Sequence, residues 1–79
     1  MFKFLLIAPY QGLKDLAENV ASNLPYELDV KVGDLQQGLI LAQASELQKY
    51  DAVISRGGTA NLIRQHLNIP VVEIPANGY

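Results

Sequence analysis

Residues 2–8, FKFLLIA, form an apolar run broken only by Lys3. A strand with one wet face alternates apolar and polar residues. A run like this one must be covered on both faces, as the strands of a parallel sheet are. That requirement calls for helices on either side, and the rest of the chain supplies them. Residues 13–23 place Leu13, Leu16, Ala17, Val20 and Ala21 at helical spacing. Leu24-Pro25 ends that helix, because the residue before proline avoids the helical region. Residues 26–32, YELDVKV, set Tyr26, Leu28, Val30 and Val32 against Glu27, Asp29 and Lys31, a half-wet strand suited to a sheet edge. Gly33-Asp34 is expected to turn the chain and cap a second helix over 35–48, with an apolar stripe of Leu35, Leu39, Ile40 (or Ala42) and Leu47. Asp51 opens a short buried strand, AVIS. A third helix runs from Thr59 to Leu67 with Asn68 as its stop, and PVVEI, residues 70–74, makes a fourth strand.

The order is βαβαβαβ, which implies a parallel sheet with right-handed crossovers. The half-polar second strand belongs on an edge and the first strand inside. Strand order 2-1-3-4 therefore fits better than 3-2-1-4, and the fold class is a three-layer α/β, flavodoxin-like or Rossmann-like sheet of four parallel strands. In such sheets ligands bind outside the carboxyl ends of the strands, near the switch point. Three segments fall there: residues 8–12 (including Pro9 and Tyr10), residues 55–60 (SRGGTA) and residues 75–79 (PANGY).

Composition narrows the function classes. Net charge is −2 with acids and bases scattered, so the chain has no electrostatic footprint for nucleic acid. Its lack of cysteine excludes disulfides, zinc–thiolate sites and a cysteine nucleophile. The apolar core of the N-terminus, FLLIA, is too short to span a membrane and no small-residue cleavage site follows it, so it reads as a buried strand of a cytoplasmic protein.

The SRGGTA run carries the strongest chemistry. Gly57 and Gly58 let the backbone take conformations closed to other residues and approach a ligand closely. Thr59 or Ser55 can offer a hydroxyl. The third helix begins here, so its unpaired N–H groups and positive dipole end face the crevice and suit a phosphate or carboxylate. Arg56 can add a bidentate fork. The competing structural reading is a tight strand-to-helix turn with Thr59 as a simple N-cap and Arg56 paired with Glu73 or Asp51. The run is not a Walker loop, since lysine and spacing are absent, and the first βα joint, APYQGL, lacks the dinucleotide glycine pattern. Tyr10 and Tyr79 would stand at the crevice mouth. His66, the single histidine, falls near a helix end and reads as a surface or dipole partner.

The stretch DAVISRGGTANLIRQHLNIPVVEIPANGY, residues 51–79, resembles the N-terminal sensor domain of the propionate catabolism regulator (PrpR) family, NtrC-type bacterial transcriptional activators. SRGGTA after a strand, a helix leading to IPVVEI, and a closing Gly-Tyr pair carry the likeness. The resemblance implies a two-lobed effector-binding module that senses a small metabolite and relieves repression of an adjoining ATPase domain. Residues 1–79 would be one lobe, the N-terminal part of a truncated sensor domain. Carried over, Ser55, Arg56, Gly57, Gly58, Thr59 and Ala60 would line an anion pocket, and Gly78 and Tyr79 would lie at the lobe hinge or ligand rim. Asn77 stands where family members often carry serine, which leaves the effector open.

Two function classes follow. The first is a ligand-sensing regulatory domain, without catalytic residues, metal or cofactor, whose partners are a small anionic metabolite and the ATPase and DNA-binding domains of a parent regulator. The second is a flavodoxin-like small enzyme or phosphocarrier module, weakened because APYQGL offers neither cysteine nor histidine. The fourth strand would be an exposed sheet edge, so a homo-oligomer is expected.

Overall fold

The structure, a computed structural model, describes residues 2–45 and 49–74. The elements run β1 (Lys3–Ala8), α1 (Gln11–Ala21), β2 (Glu27–Val32), α2 (Gln36–Ala44), β3 (Ala52–Arg56), α3 (Gly57–His66) and β4 (Val71–Ile74). The four strands form one sheet, all pairs parallel, in the order β2-β1-β3-β4. The apolar first strand lies inside, with Leu5, Ile7 and Ala8 fully buried, and the half-polar second strand takes an edge.

The alternation along β1 divides the core in two. Leu5 and Ile7 point to the face covered by α2 and α3, where they meet Leu39, Ala42, Tyr50, Val53 and Ile63. Leu6 and Ala8 point to the other face, where Ala17 of α1 meets them and Leu13, Leu28, Val30, Ile54 and Ile74 pack around. One helix therefore serves one face and two helices the other. This follows from right-handed crossovers: the chain moves one way for β1-to-β2 and the other way for β2-to-β3 and β3-to-β4.

Several boundaries differ from the sequence expectation. Helix α1 begins two residues early and ends at Ala21, and within it Leu16 and Val20 are exposed. Asp34 does not cap α2 with its side chain. Leu35 takes the N-cap position in a left-handed conformation, φ 45°, and the Asp34 carbonyl accepts from the Gln37 and Gly38 amides. Of the expected α2 stripe, Leu39 and Ala42 are buried, Leu35 and Ile40 are exposed, and Leu47 lies outside the described residues. Helix α3 begins at Gly57, two residues before Thr59, and β4 begins after Pro70.

Candidate functional site

The β1–β2 ladder runs to Ala8–Val32, whereas the β1–β3 pairing ends at Leu6–Ile54. Beyond that point the central strands are joined by a side chain: the buried Ser55 hydroxyl donates to the Ile7 carbonyl at 2.8 Å. The crevice of a doubly wound sheet opens here, with α1 leaving to one face and α3 to the other.

Arg56 ends β3 in an extended conformation. Its register partner is Ile74, which packs on the α1 face, so Arg56 shares that face. Its Nη1 donates to the Tyr10 hydroxyl at 2.9 Å, which joins the end of β3 to the start of α1 across the crevice. Tyr10 holds the N-cap position of α1 and is half exposed. Gly57 follows with φ +56°, and a Cβ built on it would meet open space, so the backbone conformation rather than lack of room calls for glycine there. Gly58 is exposed and lies under Leu35, whose Cδ2 would stand 3.2 Å from an added Cβ.

Two helix N-termini thus border the crevice. Among the described residues no side chain caps either one, and neither first turn carries an acid. Their free N–H groups and positive dipole ends suit an anion. The sequence reading named the α3 terminus. The α1 terminus at Tyr10–Gly12 was missed as a donor, because only the order β1-β3 in space shows that both helices start beside the same opening.

The remaining run residues point inward. Ser55 and Ala60 are fully buried and Thr59 is 1% exposed. The expected ligand hydroxyls are therefore engaged within the fold. Besides the Ser55 bond, Thr59 Oγ1 accepts from the Leu35 amide at 2.9 Å and donates to Asp34 Oδ1 at 3.0 Å. Thr59 is not an N-cap but the tie between the start of α3 and the start of α2. What Thr59 and Ala60 can offer a ligand is backbone N–H. Pro9 is half buried in the bend between β1 and α1. Glu73 pairs with Arg64 at 3.8 Å rather than with Arg56, and Asp51 accepts from the Lys3 amide at 2.7 Å. His66 lies on the surface with Nδ1 2.9 Å from the Leu62 carbonyl. Gly78 and Tyr79, with the rest of the 75–79 segment, lie outside the described residues.

A hollow of about 250 Å³ lies at the opposite, amino end of the strands, lined by Leu5, Ala42, Tyr50, Val53 and Leu67 among others. It is remote from the carboxyl-end crevice. Among the described residues no three His, Asp or Glu side chains come together as a metal site. No described helix is long and apolar enough to cross a membrane.

Fold and crevice define a small doubly wound α/β domain whose carboxyl-end crevice is bordered by a glycine-rich βα turn. The sequence model of the propionate catabolism activator family (PrpR_N) matches residues 23–79, most of the chain, and the chain belongs to that family. Its role is accordingly that of a regulatory sensor domain. None of the curated proteins and none of the solved structures matches it.

Proposed function

We propose that this domain senses a small anionic metabolite, a carboxylate or a phosphate, bound at the carboxyl ends of β1 and β3. The observation that carries the reading is the meeting of two uncapped helix N-termini with the Arg56 guanidinium at one crevice. Arg56 supplies the fork, the Gly57, Gly58, Thr59 and Ala60 backbone supplies N–H donors, and Pro9, Tyr10 and Gly12 form the opposite wall. Tyr10 holds Arg56 in place before the ligand arrives, which lowers the ordering cost of binding. Gly78 and Tyr79 are assigned to the rim by the family likeness alone. Binding here does not require a catalytic group, and the domain acts by passing ligand occupancy to ATPase and DNA-binding domains of a parent regulator in the cytoplasm. Residues 1–79 are one lobe of that sensor domain.

The test is calorimetry of the 79-residue chain against a panel of small carboxylates and phosphates, with Arg56→Ala beside it. Saturable binding weakened at least tenfold by Arg56→Ala, at unchanged melting temperature, is the expected result, in line with loss of a charge-assisted hydrogen bond of about 1.5–3 kcal/mol. Binding indifferent to the substitution, or no binding across the panel, would remove the anion site from this crevice.

A further inference from the structure

Leu35 stands at the joint between β2 and α2 with φ 45° and ψ −115°. The Gln37 amide donates to the Asp34 carbonyl at 3.0 Å, which closes a four-residue turn with Leu35 as its first central residue. Those angles lie near the first central position of a type II′ turn, where glycine dominates because it has no Cβ. A leucine there is strained, and such strain persists only where the surrounding contacts over-determine the backbone. Side-chain burial does not supply the restraint, since Leu35 is 52% exposed.

The restraint comes from α3. The Leu35 amide donates to the Thr59 hydroxyl at 2.9 Å, and that hydroxyl donates to Asp34 Oδ1 at 3.0 Å. Thr59 is buried, so water does not readily replace either partner. The chain before the turn is pinned by the Gly33 amide, which donates to the Ala8 carbonyl at 2.9 Å. The chain after it is helical, with the Leu39 amide donating to the Leu35 carbonyl at 2.9 Å. Between these two fixed ends, the Thr59 hydroxyl is the contact that reaches the strained residue from a distant element.

We propose that the β2–α2 turn is a latch. The Thr59 hydroxyl holds Leu35 in a conformation suited to glycine, and loss of that bond lets Leu35 relax to negative φ and shifts the start of α2. Thr59 is the third residue of α3, directly after Gly57 and Gly58. A displacement of the first turn of α3 therefore draws the hydroxyl from the Leu35 amide and opens the latch. Packing carries the same motion, because the Thr59 methyl also lies against Gly38 of α2. The start of α2 is thereby set by the start of α3. Control of the latch by an effector rests on the crevice reading, since residues 57–60 supply the crevice amides; the latch itself does not.

Thermal unfolding of Leu35→Gly beside Leu35→Ala tests it without any ligand. Both variants lose the side chain beyond Cβ, so their difference reads the backbone. At an ordinary φ the glycine variant is the less stable of such a pair. Here it should melt about 4 °C or more above the alanine variant. In a Thr59→Val background the order should reverse, because the released turn takes an ordinary φ. Thr59→Ser keeps the hydroxyl and should keep the parent order. Asp34→Ala, at an exposed position, loosens the same hydroxyl without opening the core and should cut the gap by about half, so the result does not hang on the folding of Thr59→Val. The Leu35 amide should also exchange its hydrogen about tenfold faster in Thr59→Val than in the parent. Alanine melting above glycine in the parent overturns the proposal, since the turn then holds no strain. So does a gap that neither Thr59→Val nor Asp34→Ala changes, or an unchanged exchange rate, since the turn then keeps its shape without Thr59.

Discussion

Tyr50 stands just before β3, and its hydroxyl donates to Asp29 on β2 at 2.6 Å, reaching across β1. Lys3 of β1 lies over its ring with Nζ 4.9 Å from the centroid. Burial first, then the hydrogen bond to Asp29 and the charges of Asp29 and Glu27, push the Tyr50 hydroxyl up to about 12 from its ordinary 10.0. The protonated form is the one the fold favours. This stabilisation is therefore complete below pH 10, where both states keep the proton, and is lost as pH rises toward 12. Tyr50→Phe should cost about 1.5–3 kcal/mol at neutral pH, as for a bond to a charged acceptor. Urea titrations from pH 9 to 12 should show the parent losing stability more steeply than the variant. Parallel slopes would mean that the hydroxyl is not held in this way. Sequence alone gives Tyr50 no role, since its partner is distant in the chain and the link exists only once β1 lies between β2 and β3.

At the scale of elements, α2 and α3 meet through their first turns. Gly38 of α2 is buried against Thr59 of α3, and a Cβ there would stand 2.5 Å from the Thr59 Cγ2, 3.0 Å from the Gly33 carbonyl oxygen and 3.2 Å from the Ile7 Cγ2. Thr59 cannot turn aside, because its hydroxyl is fixed by the Leu35 amide and Asp34. Alanine normally gains up to about 1 kcal/mol over glycine inside a helix. At position 38 the crowding should win, and Gly38→Ala should destabilise by about 1–3 kcal/mol in chemical denaturation. A stabilised variant would show that the helices can part without cost. The same contact explains why the sequence misplaced Thr59. Its position after two glycines has the pattern of an N-cap, whereas the helix starts at Gly57 and turns the threonine into the core.

For the molecule as a whole, the sheet is covered unevenly. Helix α1 serves its face alone, and on that side Leu16, Val20 and Val72 are more than half exposed. Periodicity places Leu16 on the apolar stripe of α1, yet no described element lies beyond it. Leu16→Gln should therefore change stability by no more than about 0.5 kcal/mol. Ile63→Ala, on the doubly covered face and fully buried, should cost about 2–5 kcal/mol. Equal losses in thermal unfolding would contradict this asymmetry.

The chain's own pattern determined the elements, their alternation, and the strand order. A β1 that is apolar from Phe4 to Ala8 belongs inside the sheet, and a half-charged β2 suits an edge. It also determined that Ser-Arg-Gly-Gly-Thr-Ala would stand at a strand-to-helix joint at the carboxyl end of the sheet. Only the tertiary structure decided which of those six residues remain accessible. Ser55, Thr59 and Ala60 turn inward, Arg56 turns to the α1 face and meets Tyr10, and the N-terminus of α1 joins that of α3 at one opening. The reason is geometric. Local spacing sets what each segment becomes, whereas which side chains meet depends on strands brought together from distant parts of the chain and on the face to which each crossover carries its helix.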